Sequence, residues 1–267
     1  MTKRKQGIFG RIWFVVWRFL LFLVLVLWLF RFVPPPTTAF MLQSPYPVTQ
    51  HWISIDKLPS YMPLAVVGSE DQRFPEHFGV DFAAISKALS QYDDGDSLRG
   101  ASTITQQTAK NLFLWSGRSF IRKGLEAGFA VSLEALWGKK RILEVYLNIA
   151  EFGKGIYGVE AASQHYFGRS ASKLTMNQAA RLAIMLPSPR TRNPNALTYY
   201  LRQRVNWVER QMQQLGPDYL KPILATIGVT TQHNNWGQQL GSYMVHPAMQ
   251  DKVTGMTERY CFHISGL

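Results

Sequence analysis

The 267-residue sequence predicts a mainly α-helical protein with one N-terminal transmembrane helix. Three observations lead to this prediction. Apolar residues recur at helical spacing in several segments after residue 60, no convincing alternating run marks a strand, and residues 12–33 are apolar except for two arginines. The single cysteine, Cys261, excludes an intramolecular disulfide, so the stability must come from a packed core.

The apolar segment 12–33 has about the ~20 residues that are needed to cross a bilayer. Arg18 lies near its start and can extend towards the headgroups. A cleaved signal peptide is the alternative, but that would need a shorter apolar core and small residues at a cleavage site, whereas Arg31-Phe-Val-Pro-Pro-Pro36 follows here. We therefore expect an uncleaved anchor, with the basic residues before it on the cytoplasmic side.

The net charge of +12 is shared between the anchor region and the rest of the chain. Six basic residues and no acidic residue lie in residues 1–33, which leaves the remainder with a net charge of +6. An excess of this size suits a phosphate, a nucleic acid or a membrane surface, and does not distinguish among them.

The chain divides into five predicted parts. These are a basic cytoplasmic N-terminus (1–11), the anchor (12–33), a proline-rich spacer that lifts the domain off the bilayer (34–44), a helical domain (45–216) and a loosely ordered tail of unknown role (217–267). Within the domain we expect helices before Glu70, over 80–92 with Asp81 as N-cap, after Gly100, over 120–137, over 139–148, over 175–186 behind a Thr175/Gln178 capping box, and over 197–215.

The stretch Glu70–Asp81 contains four carboxylates, an arginine and a histidine. Val66, Val67 and Phe74 lie at helical spacing from Glu70, which predicts Glu70 on the apolar side of a helix. A carboxylate in such a place is desolvated, which raises its pKa and suits it to proton transfer near neutral pH. An acidic turn on the surface remains the alternative from this stretch alone.

A second polar segment begins at Gly100 and reads Gly-Ala-Ser-Thr-Ile-Thr-Gln-Gln-Thr-Ala-Lys-Asn. Small hydroxyl residues at the start of a helix leave free N–H groups, which suit a phosphate or an oxyanion. An ordinary capped helix with a surface Gln pair explains the same residues. The apolar cluster 112–115 beside basic residues is either core or a surface that dips into the membrane interface.

Five motifs in order resemble the peptidoglycan glycosyltransferases of family 51, in their monofunctional membrane-anchored form. The motifs are Glu70-Asp-x-x-Phe-x-x-His-x-Gly79, Gly100-x-Ser-Thr-Ile-Thr-Gln-Gln107, Arg122-Lys-Gly-Leu-Glu126, Arg141-Ile-Leu-Glu-Val-Tyr-Leu-Asn148 and Arg181-Leu-Ala-x-x-Leu-Pro-x-x-Arg190. They span roughly residues 45–215. No transpeptidase motif of the Ser-x-x-Lys type with a Lys-Thr-Gly partner accompanies them.

The resemblance implies a lysozyme-like helical lobe with a smaller, mobile lobe near the membrane, around 112–115. It implies polymerisation of lipid II into β-1,4-linked glycan, with undecaprenyl diphosphate as the leaving group. Glu70 and Glu126 are the implied catalytic residues, Glu70 as general base and Glu126 as the group that orients the cations or helps to hold a divalent ion near the diphosphate. The implied substrate-binding residues are Ser102, Thr103, Gln106, Gln107, Lys110, Arg118, Arg122 and Lys123.

The remaining polar residues are predicted to support the site. We expect Asp71, Glu76 and His77 to brace the Glu70 loop, Glu144, Tyr146 and Asn148 to support the cleft, and Lys140 and Arg141 to be surface cations.

The resemblance leaves open a divalent cation (Mg²⁺ or Mn²⁺) near the diphosphate. The expected partners are lipid II, the growing glycan chain and the membrane, with cell-division or elongation proteins left open and no nucleic acid. The expected location is the bacterial inner membrane, with the catalytic domain in the periplasm.

Two rival functions remain at the level of sequence. A lysozyme-like muramidase or lytic transglycosylase also uses one desolvated glutamate, but it does not need the cations at 110–123. A catalytically silent anchored scaffold would use the basic surface to hold an anionic lipid or nucleic acid.

Overall fold

The structure, a computed structural model, describes residues 8–86, 102–117 and 119–225 and confirms a mainly helical fold. Its helices are α1 (Ile8–Phe30), α2 (Ala39–Leu42), α3 (Tyr61–Glu70), α4 (helical over 82–86), α5 (Ile104–Phe113), α6 (Phe120–Trp137), α7 (Lys139–Ile149), α8 (Val159–Phe167), α9 (Met176–Ala183), α10 (Tyr199–Leu215) and α11 (Lys221–Leu224). Two short 3-10 helices cover Ile55–Lys57 and Ala171–Lys173. That a part around 112–115 forms a separate mobile lobe stays a prediction.

The core forms around α3, α5 and α7. Helix α3 is buried from Met62 to Gly68 and packs against α9 and α10, while α5 packs against α6 and α7. Almost every residue of α3 is apolar, so it can be surrounded on all sides. Its C-terminal end at Glu70 therefore emerges from the middle of the domain.

Three short strands form a small sheet beside α8 that the sequence did not predict. Strand β3 (Ile156–Tyr157) lies between β1 (Thr49–Gln50), which is parallel to it, and β2 (Glu151–Gly153), which is antiparallel. Strands of two or three residues are too short to show alternation. Gly155 in the β2–β3 turn has φ +73°, and an added Cβ would lie 2.2 Å from the carbonyl oxygen of Pro47, so glycine is required there.

Helix α1 is long and apolar enough to cross a membrane from Gly10 to Phe30, where it ends three residues before the predicted boundary at Val33. Its C-terminal carbonyl groups bind the domain. Trp137 donates a hydrogen bond from Nε1 to the Leu27 oxygen (2.6 Å), and Arg141 donates to the oxygens of Phe30 (2.9 Å) and Val33 (2.9 Å). The prediction of Arg141 as a surface cation is therefore wrong.

The predicted spacer over 34–44 is not a free spacer. Thr38 is buried and caps α2, and Met41 belongs to the core. The Gln43 side chain donates to the Leu114 oxygen (3.2 Å) and accepts from the Ser116 nitrogen (3.1 Å). Proline and threonine predict an extended chain, but they do not show that the residues after them bind the domain.

Residues 217–225 continue the domain, so the predicted boundary at 216 lies too early. Leu220 is buried, and the Tyr219 hydroxyl donates to the Gln72 oxygen (2.6 Å). The rest of the predicted tail, 226–267, lies outside the described residues. Helix α9 also ends at Ala183 and not at Leu186, because Pro187 disfavours a helical conformation before it.

Candidate active site

Glu70 is the last residue of α3 and is half-buried. Burial raises the pKa of its carboxyl group above the ordinary value. A hydrogen bond from Gln107 and the charges of Arg204, Arg192 and Lys110 act in the opposite direction, but burial has the larger effect. The carboxyl group therefore keeps a raised proton affinity although cations surround it.

The chain leaves the helix immediately after Glu70. Phe74 is fully buried, but it reaches the core through a turn over residues 72–76 and not through a continuing helix. The prediction that Glu70 and Phe74 lie on one continuous helix is therefore wrong. The predictions that Phe74 is buried and that Glu70 is desolvated are correct. The turn leaves the Glu70 carboxyl group at the end of a rigid helix.

Asp71 joins this turn to the start of α5. Its Oδ2 accepts from the Ile104 nitrogen (2.9 Å) and from Nε2 of His77 (3.0 Å). Arg73 binds Glu76 (3.0 Å) and Asp81 (3.1 Å), and Asp81 also accepts from the Ala84 nitrogen (2.9 Å) as the N-cap of α4. These contacts confirm that Asp71, Glu76 and His77 brace the loop and that Asp81 caps a helix.

Gln107 is the direct partner of Glu70. Its Nε2 donates to Oε2 of Glu70 (3.1 Å), and its Oε1 accepts from the hydroxyl of Tyr146 (2.9 Å). Tyr146 is 1% exposed, and burial beside Glu70 and Asp71 raises its phenol pKa well above the ordinary value. Tyr146 therefore stays neutral and donates a hydrogen bond, which agrees with its predicted role as a support of the cleft.

Glu126 lies on α6 and is 2% exposed. Its two oxygens bind Nη1 of Arg122 (2.8 Å) and Nζ of Lys123 (2.5 Å), and Lys123 also donates to the hydroxyl of Ser102 (3.0 Å). Glu126 therefore contacts two of the cations that it was predicted to orient, and its pair with Arg122 is largely buried. Glu126 holds both cations in fixed positions.

Lys110 lies one helical turn beyond Gln107 on the same face of α5. Burial lowers its pKa, and the charge of Glu126 partly opposes that effect. Within the residues that the structure describes, its Nζ forms no hydrogen bond or ion pair, and it lies 5.3 Å from the centre of the Phe40 ring. Arg118, the remaining predicted cation, lies outside the described residues.

Thr103 and Gln106 cap helix α5, and Thr103 also lines the cavity that Glu70 lines, while their contact with substrate stays a prediction. Both are buried and form the capping box of α5, in which Gln106 Oε1 accepts from the Thr103 nitrogen (3.1 Å) and Thr103 Oγ1 accepts from the Gln106 nitrogen (3.1 Å). The nitrogen of Ile104 is bound by Asp71. The start of α5 therefore offers few free N–H groups, and the predicted phosphate site at this helix end is wrong.

One cavity is lined by Glu70, and a second is lined by its hydrogen-bond partner Gln107. One, of 460 Å³, is lined by Glu70, Ser102, Arg73 and Trp207 among others. The other, of 430 Å³, is lined by Gln107, Lys110 and Tyr146 among others. The hydrogen bond from Gln107 to Glu70 therefore joins a residue of one cavity to a residue of the other.

Sequence reasoning missed Arg192 and Arg204, whose charges act on Glu70. Arg192 donates to the Ile184 oxygen, and Arg204 stacks on Trp207 at 4.2 Å. Both lie more than 120 residues from Glu70 along the chain, and no short motif joins them to it. Arg190, at the end of the fifth motif, binds Glu151 (2.9 Å) instead.

The described residues do not fit a resident metal ion. They contain no group of three or more His, Cys, Asp or Glu side chains that could hold one. Both oxygens of Glu126 are bound by cationic side chains. A divalent cation near the diphosphate stays a prediction, and no chemical step below depends on it.

An apolar helix long enough to cross a membrane, a helical domain and a half-buried glutamate near a cationic cluster are features expected of a membrane-anchored enzyme with an anionic substrate. Comparison with known proteins then gives the family. The transglycosylase family model matches residues 38–213, and the chain belongs to this family.

Named relatives agree with the family model. The chain is 87% identical over 224 residues to a biosynthetic peptidoglycan transglycosylase of Marinomonas sp. (strain MWYL1), an alignment that covers 84% of this chain and 100% of that protein. It is 75% identical over 224 residues to the protein of the same name from Shewanella frigidimarina (strain NCIMB 400), covering 84% and 99%. It is 48% identical over 235 residues to that of Escherichia coli (strain ATCC 8739), covering 81% and 96%.

Proposed function

We propose that this protein is a membrane-anchored peptidoglycan glycosyltransferase that polymerises lipid II into β-1,4-linked glycan and releases undecaprenyl diphosphate. The family and the names of its relatives support the class of reaction. One observation carries the mechanism: a half-buried glutamate with a raised pKa faces a cavity, and buried cations lie on the neighbouring helices.

Glu70 acts as the general base. It removes the proton from the 4-hydroxyl of the acceptor sugar while that oxygen attacks the anomeric carbon of the lipid-linked donor. The bond from the anomeric carbon to the diphosphate oxygen breaks in the same step, which inverts the anomeric centre and requires no covalent sugar–enzyme intermediate. A base works best when its pKa lies near the working pH, and burial moves Glu70 in that direction.

Lys110, Arg122 and Lys123 receive the negative charge of the departing diphosphate, together with Arg118. Nε of Arg122 is buried and has no acceptor among the described residues, and Lys110 lines a cavity without a hydrogen bond or ion pair to them. A buried donor without an acceptor is costly, and an oxyanion can satisfy it. Glu126 positions Arg122 and Lys123, so that little rearrangement is needed when charge develops.

The membrane arrangement also belongs to the proposal. The basic residues Lys3, Arg4, Lys5 and Arg11 precede or begin the apolar helix, which favours a cytoplasmic N-terminus and a periplasmic catalytic domain at the inner membrane. Lipid II and the growing glycan reach the site from the bilayer. Cell-division or elongation proteins remain candidate partners.

The test supplies fluorescent lipid II to the detergent-solubilised full-length protein. We expect glycan chains to grow, and we expect Glu70→Gln to reduce the polymerisation rate by at least about 10²-fold, because the base is lost. Glu126→Gln should also be severe, since the neutral amide no longer balances the charge of the mostly buried Arg122 or holds Lys123 by an ion pair. A parent protein that forms no polymer would contradict the proposal.

The same preparation decides between the proposal and its rivals. Release of fragments from preformed peptidoglycan without polymer formation would identify a lytic enzyme. Complementation of cell growth by Glu70→Gln as well as by the parent would instead indicate the silent scaffold.

A further inference from the structure

A chain of two hydrogen bonds runs from the core to Glu70. The hydroxyl of Tyr146, on α7, donates to Oε1 of Gln107 (2.9 Å), and Nε2 of Gln107 donates to Oε2 of Glu70 (3.1 Å). Tyr146 is buried, and its hydroxyl has no second hydrogen-bond partner within the described part of the chain. The mechanism proposed above uses Glu70 but gives Tyr146 no part.

The two ends of an amide have opposite hydrogen-bonding character. The NH₂ end of Gln107 can bind an ionised carboxylate, whereas the oxygen end would repel it. Rotation by 180° about the last side-chain bond exchanges the two ends at almost no change in shape. Something must therefore hold the orientation, and the Tyr146 hydroxyl does so because it donates to the oxygen end.

The other groups that act on Glu70 are charged and cannot be reversed in this way. They come from three elements: Lys110 on α5, Arg204 on α10, and Arg192 in the segment between α9 and α10. Asp71 is the adjacent carboxylate, and it is bound to His77 and to the Ile104 nitrogen. Among the described residues, Gln107 is the only side chain that donates a hydrogen bond directly to Glu70.

We infer that Tyr146 is a positioning residue of the proposed reaction, which fixes the amide of Gln107 so that its NH₂ end stabilises the ionised form of Glu70. The inference rests on the proposed role of Glu70 as base. Without the hydroxyl, the amide is free to turn its oxygen towards Glu70, and this orientation favours the protonated carboxyl group. Tyr146→Phe therefore raises the pKa of Glu70 while it keeps the ring that fills the core.

The first experiment measures the dependence of kcat on pH for lipid II polymerisation. Glu70 must be ionised to accept a proton, so the rate rises with pH through its pKa. We expect Tyr146→Phe to move this acidic limb to higher pH by about 0.5 unit or more. The matched control is Tyr157→Phe, another buried tyrosine, whose hydroxyl donates to the Phe40 oxygen (3.3 Å) and which should leave the limb in place.

The second experiment repeats Tyr146→Phe in a Gln107→Ala background. Gln107→Ala alone should move the acidic limb upwards, and Tyr146→Phe should then add no further shift, because Tyr146 acts through the amide. An unchanged limb in Tyr146→Phe would overturn the inference, and so would equal shifts in both backgrounds. A general loss of packing would lower the rate at every pH and leave the limb where it is.

A third measurement separates this inference from the proposed function. The carboxyl carbon of Glu70 can be titrated by NMR in protein labelled with ¹³C at glutamate, with Glu70→Gln used to assign the signal. A higher midpoint in Tyr146→Phe than in the parent supports the inference even if no polymer forms. Equal midpoints overturn it even if the parent polymerises lipid II.

Discussion

At the scale of single residues, Glu70 shows a conflict between stability and activity. The carboxylate is half-buried at the end of a buried helix, and its raised pKa means that the fold prefers its neutral form. Ionisation of Glu70 therefore costs more free energy in the folded protein than in the unfolded chain. The burial that makes Glu70 a better base therefore lowers the free energy of unfolding when the carboxyl group is ionised.

This conflict predicts that Glu70→Gln is more stable than the parent at neutral pH. A carboxyl group with a raised folded pKa contributes stability that is fully present below its unfolded pKa and is lost as the pH rises through the folded pKa. Glutamine cannot ionise and keeps a hydrogen-bond acceptor for Gln107. Thermal unfolding at pH 7 should show a higher Tm for Glu70→Gln than for the parent, with about 2–4 °C for each kcal/mol of added stability. This difference in Tm should disappear below about pH 4, where the unfolded glutamate is protonated. A parent that is the more stable at pH 7 would contradict this.

The environment of Lys110 leads to a second prediction, which concerns the binding of substrate. Its buried ammonium group has no acceptor among the described residues, so its partner is expected to be the substrate. Lys110→Ala should reduce kcat/KM for lipid II by about 10²-fold, because a charge that meets the diphosphate is lost. Steady-state kinetics with Lys173→Ala, the same change at an exposed lysine, provides the control. Equal turnover in Lys110→Ala and the parent would remove this role.

At the scale of elements, α7 supports the site and the anchor at once. Arg141 binds the end of α1, and Glu144 binds Nη1 of Arg141 (2.6 Å) and the Ile55 nitrogen (3.2 Å). Tyr146 binds Gln107, and Asn148 binds both the nitrogen (2.8 Å) and the oxygen (2.9 Å) of Ile53. One helix therefore holds the α1 end, the segment before α3 and the partner of Glu70.

Removal of Arg141 tests this arrangement. Arg141→Ala removes the guanidinium group that binds the Phe30 and Val33 carbonyl groups and Oε2 of Glu144. We expect it to destabilise the protein by about 2–4 kcal/mol. Arg210→Ala, at an exposed arginine of α10, should change the Tm little. Equal Tm values for the two variants would show that the bonds to the α1 end contribute little.

Most helices were predictable because their patterns are local. Helix α6 has the predicted bounds, and the Thr175/Gln178 capping box was recognised from its spacing. The same Thr-x-x-Gln spacing occurs at Thr103 and Gln106, where the resemblance suggested substrate contacts, and there it also forms a capping box.

The contacts that complete the site were not predictable in this way. Tyr146 and Gln107 are 39 residues apart, and Arg204 is farther still from Glu70. Their meeting depends on how α5, α7 and α10 pack around α3, and no spacing along the chain encodes that packing. The same reason explains why the contacts of Arg141 were not predicted. Its partner Phe30 lies 111 residues earlier in the chain.

At the scale of the whole molecule, apolar surface extends beyond the anchor. Helix α6 contacts α1, and its outer face exposes Phe120, Ile121, Leu125 and Val131. Leu112 and Leu114 of the predicted membrane-facing cluster are buried, whereas Trp115 is exposed. Exposed apolar groups beside a membrane-type helix are expected to face lipid.

A fluorescent probe tests this expectation. Phe120 is 98% exposed, so Phe120→Cys in a Cys261→Ser background provides a single labelled position. An environment-sensitive dye there should shift to shorter wavelength when the full-length protein is placed in lipid vesicles. The same dye at Ser172→Cys, an exposed polar position in a 3-10 helix, should not shift. Identical spectra at the two positions would place α6 in water.

The bonds between Arg141 and the end of α1 also have a consequence for synthesis. The Phe30 carbonyl leaves the ribosome 111 residues before the guanidinium group that binds it. At ~5–20 residues per second, roughly 5–20 s pass before the bond can form. During this interval the Phe30 carbonyl group has no guanidinium partner, so the contact between the end of α1 and α7 forms only after the chain has been made through Arg141.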